Sequence, residues 1–411
     1  MLANQPPLRH LLLPQGAAPH ASAILLARSL RALVDGYMAV LLPAYLLALG
    51  LGPLQVGILA TTTLLGSAAA TLAVGTWAHR LRRLPLLQWA ALLMAATGLG
   101  FAAFSAYWPL LLVAFIGTLN PSSGDVSVFL PLEHARLAGA ATGAVRTTLF
   151  ARYSVLGALC AAVGALAAAL PGWLTVRTGI APLNALRGMF LLYALVGMVV
   201  WWLYRRAPQI SANEAAPAAP LGPSRAIVLR LAALFSLDSF AGGMVINTLL
   251  ALWLQQRFGL SLAQAGVFFF WTGLLSAGSQ LAAPRLARRI GLVNTMVFTH
   301  IPANLCLIFA ALAPSLPVAL ALLLVRGALS QMDVPTRSAF VMAAVTPAER
   351  AAAASVTAVP RSLAAALSPS LAGALYAAGW IAAPMVAGGL LKIVYDLTLW
   401  RACRQIELPE E

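Results

Sequence analysis

Apolar residues run through this chain in stretches of about twenty, separated by short clusters of Gly, Pro or Arg. At ~1.5 Å rise per residue, a helix of that length crosses a ~30 Å hydrocarbon core. The pattern predicts an all-α membrane protein with twelve transmembrane helices. In the first half the spans cover approximately 27–49, 54–75, 84–106, 108–130, 148–171 and 184–204. In the second half they cover approximately 227–255, 261–283, 292–313, 317–345, 351–376 and 379–400. An outer-membrane barrel would instead show segments of about ten alternating residues. One long polar break, 205–226, is rich in Pro and Ala and suits an exposed cytoplasmic linker. The expected organisation is a six-helix bundle at 1–204, the linker, and a second six-helix bundle at 227–411.

Composition agrees with this. Hydrophobic residues make up 61% of 411 positions and charged residues 9%, too little polar surface to cover a soluble fold of this length. The net charge of +15 first suggests a nucleic-acid partner, but the arginines alternate between span ends, which is a topology signal. With the N terminus inside, fifteen arginines fall in the cytoplasmic connections and termini. Only Arg177, Arg187 and Arg257 fall in the external ones. Both termini are therefore expected in the cytoplasm of a multi-pass bacterial inner-membrane protein, a monomer whose partners are the bilayer and a small-molecule substrate. The first 22 residues hold four prolines and no sustained apolar core, so no cleavable signal peptide is expected. Cys160, Cys306 and Cys403 lie too far apart for a metal-ligand motif or a disulfide framework.

The two halves repeat each other. Gln55 and Gly57 match Gln264 and Gly266 at an offset of 209, and the same offset carries Arg152 onto Arg361. Asp125 matches Asp333 at 208, and Asp35 and Asp238 occupy similar places in spans one and seven. Between spans two and three stands Gly75-Thr76-Trp77-Ala78-His79-Arg80-Leu81-Arg82-Arg83. Its second copy, between spans eight and nine, is Pro284-Arg285-Leu286-Ala287-Arg288-Arg289-Ile290-Gly291.

On these residues, the chain resembles the major facilitator superfamily over essentially its whole length. The two loops resemble that family's cytoplasmic signature, with His79 and Arg288 standing where the family usually has Asp. The resemblance implies that the lock made by that Asp is weakened or rebuilt here. It also implies two halves rocking about a midplane cavity. Spans one, four, seven and ten would line the cavity, and spans two, five, eight and eleven would form the interface.

Charge at membrane depth is expensive and usually marks a pathway, a relay or a paired lock. Asp125 with Arg152 and Asp333 with Arg361 read as two such pairs, either static ties between helices or a gate whose pairing changes between states. Asp238 and Asp35 are the proton-coupling candidates. Asp238 has no evident basic partner in the sequence, whereas Asp35 has Arg31 four residues before it on the same helix face. Arg326, Ser330 and Asp333 share one face of a continuous span ten, so Arg326 is a substrate-cavity candidate for an anionic or carbonyl group, or else pairs with a buried acid. Ser330 and Asn247 join it as cavity candidates. Phe268-Phe269-Phe270-Trp271 form an aromatic wall or packing material. Lys392 and Asp396 read as a structural i,i+4 pair.

Several function classes drop out. No Gly-x-x-x-x-Gly-Lys-Ser/Thr loop is present for ATP. No Asp-x-x-x-Asp pair could hold Mg²⁺ for an intramembrane transferase, and His79, His134 and His300 are too scattered for a metal site. No catalytic residues, cofactor or metal are expected, and no enzyme activity. The function expected is secondary active transport of a small organic solute by alternating access, with efflux by proton antiport. Proton-coupled import or uniport of a metabolite is the alternative within the class, and a membrane-embedded enzyme the alternative outside it.

Overall fold

The computed structural model describes residues 13–77, 83–122, 127–208, 222–346 and 349–403. Its helices group into twelve successive segments. Span 1 is Ala21–Ala48, span 2 Pro53–Trp77 and span 3 Arg83–Ala103. Span 4 comes as two pieces, Tyr107–Ile116 and Phe129–Ala138. Span 5 runs Gly143–Leu166 and continues into Leu170–Thr178, and span 6 is Pro182–Arg206. Span 7 is again two pieces, Arg225–Gly243 and Asn247–Phe258. Span 8 is Leu262–Ile290, span 9 Leu292–Ala311, and span 10 the pair Leu316–Leu329 and Asp333–Ala343. Spans 11 and 12 are Arg350–Ala377 and Ala383–Cys403. By length and composition alone, eight of these segments qualify as membrane crossings among the described residues. Most of the predicted linker, 209–221, lies outside the described residues.

Ala- and Leu-rich runs favour helix strongly, and the ends carry their own signals. Ser261 accepts from the Gln264 backbone N–H while the Gln264 side chain accepts from the Ser261 N–H, a reciprocal cap that starts span 8. Gly259 ends span 7 at φ 66°, a left-handed stop that other residues adopt at a penalty.

The packing of the first half recurs in the second. Spans 1 and 5, 1 and 6, 2 and 4, and 3 and 6 are in contact; so are 7 and 11, 7 and 12, 8 and 10, and 9 and 12. Each pair in the second list is the first shifted by six spans. Across the halves, span 2 packs on span 11 and span 5 on span 8. The polarity is inverted relative to a soluble protein: Glu133 and Asp396 are 0% exposed, whereas Leu195 is 60% and Trp108 78% exposed. Apolar side chains outside and charges inside are what a hydrocarbon solvent selects.

The two halves approach closely through small residues near one end of the bundle. A Cβ on Gly57 would lie 2.5 Å from the Pro369 carbonyl oxygen, and one on Gly266 2.5 Å from the Ala165 carbonyl oxygen. Thr61 Oγ1 also accepts from the Ser370 N–H at 3.0 Å. The repeated Gln-x-Gly thus has a structural meaning in both halves. Gln55 accepts from the Gly52 N–H and Gln264 caps at Ser261, and the Gly two residues on lets the opposite half's backbone approach.

Candidate functional site

Among the described residues, spans 4, 7 and 10 each hold non-helical backbone, at 117–122 and 127–128, 244–246 and 330–332. The sequence supplies the breakers: Gly117 and Pro121 in span 4, Gly242-Gly243 before the gap in span 7, and Pro335 just after that in span 10. Asn120 folds the span 4 break locally, accepting from the Ser122 N–H at 3.1 Å and its hydroxyl at 2.8 Å. Non-helical backbone at membrane depth is tolerated only where it is buried in protein or lines a watery cavity. Thr248, at the span 7 break, donates its hydroxyl to Pro121 O at 2.8 Å and lies 3.1 Å from Ala39 O. One side chain therefore joins spans 1, 4 and 7 across the boundary between halves.

Each half buries an ionic cluster. In the first, Glu133 of span 4 takes Arg31 Nη2 of span 1 at 2.5 Å and the Tyr153 hydroxyl of span 5 at 2.6 Å. The Tyr204 hydroxyl of span 6 donates to its other oxygen. The Arg31 guanidinium also lies over the Phe129 ring, 3.9 Å from its centroid. In the second, Asp238 of span 7 takes Lys392 Nζ of span 12 at 2.5 Å and Arg337 Nη2 of span 10 at 2.9 Å. Arg337 also donates to Asp333 one turn before it. The two clusters tie the first and fourth span of each half with the charge order reversed: cation on span 1 and acid on span 4, acid on span 7 and cation on span 10.

Two apolar hollows flank the bundle. One of about 440 Å³ lies between spans 8 and 10 and is lined by Leu260, Phe268, Trp271, Leu320 and Leu324. The other, about 180 Å³, lies among spans 2, 3 and 4 against Trp89, Leu93 and Ile116. Neither contains a charged cluster.

The Major Facilitator Superfamily model matches residues 24–369, most of the chain. The chain belongs to the major facilitator superfamily. It is also 24% identical over 406 residues to YJR124C, an uncharacterized membrane protein of Saccharomyces cerevisiae, covering 90% of this chain and 91% of that one. Among solved superfamily folds, it resembles the Escherichia coli xylose transporter XylE in an inward-open conformation. The TM-score is 0.73 at 15% identity, covering 93% of this chain and 96% of that one. It also resembles the nucleoside transporter NupG, with TM-score 0.71 at 16% identity over 94% and 100% of the two chains. A third neighbour is a bacterial homolog of the human lysosomal transporter Spinster, inward-facing and occupied, with TM-score 0.69 at 16% identity over 94% and 96%. At these identities the likeness shows the fold alone.

Several sequence expectations change within this superfamily fold. Asp333 pairs with Arg337, not with Arg361, which is exposed and forms no ion pair within 4.0 Å among the described residues. Asp238, expected to lack a basic partner, has two. Lys392 reaches Asp238, while Asp396 binds His300 and Asn304. Arg31 takes Glu133 of span 4, a partner 102 residues away in sequence. The break at 330–332 also removes the continuous helix on which the shared face of Arg326, Ser330 and Asp333 was reckoned.

Asp125, His79 and Arg80 lie outside the described residues. Arg152 is half-buried on span 5 beside Tyr153, and Asp35 half-buried on span 1. Gly75 lies in the last turn of span 2 and Arg83 opens span 3; Arg288 and Arg289 are exposed at the end of span 8. Arg326 leaves its Nε buried without a hydrogen-bond partner among the described residues and lies near Cys306 of span 9. Asn247 opens the second piece of span 7, and Ser330 sits at the span 10 break. Phe268 and Trp271 line the larger hollow.

Glu133, Arg337 and Thr248 are the residues that sequence reading passed over. Glu133 falls just past the predicted end of span four, where an acid reads as a loop residue. Arg337 carried a legible signal, an i,i+4 relation to Asp333 inside a predicted span.

Proposed function

We propose that this chain is a secondary active transporter of a small organic solute, working by alternating access and coupled to protons, in the direction of efflux. The observation that carries the reading is the coincidence of three broken spans with a half-to-half joint at Thr248 and a buried ionic cluster in each half. Broken helices expose backbone donors and acceptors that a polar solute can use. The clusters tie spans that must keep their relative position while one half rocks on the other. In an inner membrane with both termini cytoplasmic, the end closed by Gly57 and Gly266 is the external one, and the cavity opens inward.

Arg326, Ser330 and Asn247 are the candidate solute contacts, and Arg326 is the one suited to a carboxylate or carbonyl. Asp35 and Asp238 remain titratable acids on the first and seventh spans. The two cations on Asp238 support a state-dependent lock there rather than a resting proton site. Asp333 belongs to that lock through Arg337, and Asp125 with Arg152 forms the corresponding candidate gate in the first half.

A thermal-shift screen of small organic compounds on the purified chain, run at an acid and a neutral pH, tests the reading. The expected result is stabilisation by one chemical class, weakened at the acid pH by competition with protons. A compound recovered chemically altered after incubation overturns it in favour of a membrane-embedded enzyme. Binding with no pH effect overturns the antiport and favours uniport.

A further inference from the structure

Spans 9 and 12 bury a group of titratable side chains that the cavity and the locks do not use. His300 of span 9 holds Nδ1 2.9 Å from Oδ1 and 3.1 Å from Oδ2 of Asp396 on span 12. Asn304, one turn further along span 9, donates to Asp396 Oδ2 at 3.3 Å. His300 is 4% exposed, Asn304 1% and Asp396 0%, so water does not reach the pair directly.

The charged surroundings come from four further directions. Span 12 itself adds Lys392, one turn before Asp396, and the Tyr395 hydroxyl, which is buried and unpartnered among the described residues. The Tyr395 ring centroid lies 6.3 Å from that of the imidazole. Span 7 adds Asp238, and span 10 adds Arg337 and Asp333. Span 11 adds Arg361, which is exposed and makes no ion pair within 4.0 Å among the described residues.

Lys392 and Arg337 are hydrogen-bonded to Asp238 and Asp333, two permanent cations against two carboxylates, whereas among the described residues Asp396 is hydrogen-bonded to His300 and Asn304 alone. With neutral His300 the buried set carries one uncompensated negative charge. Burying such a charge is strongly unfavourable unless it is paired. One proton on His300 brings the set to neutrality and turns the Nδ1 contact into a charge-assisted hydrogen bond. We propose that His300 and Asp396 form a proton-binding site in the second half of the protein, with the proton on the imidazole and its charge held by the carboxylate. Only N–H bonds form and break in this exchange, and the ligand is H⁺ itself.

The consequence for transport rests on the proton-coupled reading. Loss of the proton leaves Asp396 a bare carboxylate one helical turn from Lys392. That ammonium is then drawn away from Asp238, which loosens the tie between spans 7 and 12. A proton bound at the periphery of the half thereby biases a contact on its cavity-side span.

Histidine ¹⁵N NMR on the purified full-length chain tests the site, using the disappearance of one resonance in His300→Gln for assignment. At neutral pH the wild-type His300 signal is expected at the imidazolium position. Asp396→Asn keeps the shape of the carboxylate but removes its charge, and is expected to move the titration of His300 to lower pH. Lys392→Met keeps the apolar stem but removes a cation, and is expected to move it to higher pH. A purely structural His–Asp contact gives no such opposed pair of shifts. A neutral imidazole at neutral pH in the wild type overturns the proposal, as does the same titration in all three proteins. The measurement needs neither solute nor gradient, so a negative result removes this site and leaves the transport reading standing. Equally, an occupied proton site with no gradient-driven flux removes proton coupling and leaves the site.

Discussion

Glu133 receives three donors from three different spans in a place that water does not reach. Glu133→Ala strips Arg31, Tyr153 and Tyr204 of their common acceptor and leaves a buried cation unpaired. The expected loss is about 3–5 kcal/mol, visible as a fall in melting temperature of the purified chain. Glu133→Gln keeps the shape and one acceptor oxygen, and is expected to lose distinctly less. Equal losses in the two variants would show that the cluster acts by packing rather than by charge.

Outside the spans, Glu349 precedes span 11, where donors from Ser224, the Gly222 N–H and Thr346 hold its carboxyl below the ordinary glutamate range. A depressed folded value contributes stability that is fully present above the unfolded pKa of about 4.3. That stability disappears as pH falls through the lower folded value. Melting curves between neutral and strongly acid pH should therefore show an acid-side loss that Glu349→Gln flattens.

Helix-scale arguments concern close approach. Spans 2 and 11 meet through Gly57 and Gly373, where a Cβ on Gly373 would come 2.9 Å from the Gly57 Cα. Gly57→Val cannot be absorbed by a side-chain rotation, because the obstacle is backbone. The two halves are expected to be held apart at this end while each folds normally. Spin labels on the loops before span 2 and after span 11 should report a longer distance than in the wild type, with unchanged helical circular dichroism. An unchanged distance would mean that the halves slide to accommodate the branch.

The broken spans also explain where sequence reading lost the site. A span drawn as one continuous helix assigns faces by a 3.6-residue period, and each interruption, after Ile116, at 244–246 and at 330–332, resets that count. Arg326 and Asp333 were aligned by the unbroken period and are separated by the break. Thr248, an ordinary apolar-span threonine in sequence, gains its role only because Pro121 of a different break comes to it.

For the whole molecule, the proposed alternating access places the motion at the joint between halves. Thr61→Cys with Ser370→Cys, in a background where Cys160, Cys306 and Cys403 are replaced by Ser, allows the closed end to be cross-linked through a contact now 3.0 Å long. Flux of a solute found by the stability screen should fall to background on cross-linking and return on reduction. Persisting flux would exclude alternating access through this end.

The sequence by itself determined the solvent, the all-helical class and the duplication. Those follow from local hydropathy and from residue spacing, and both are properties of the chain in order. The Gln-x-Gly repeat, read in sequence as a mark of duplication, lies in the structure where the halves approach each other. Which acid meets which cation was decided only by tertiary structure. Buried charges pair with whatever lies nearest in space, and packing six helices brings Arg31 to Glu133 and Lys392 to Asp238 across 102 and 154 residues of chain. With 11 acidic residues for 26 basic ones, sequence offers many pairings of comparable plausibility. Only the packed bundle, where an unpaired charge has no water to turn to, selects among them.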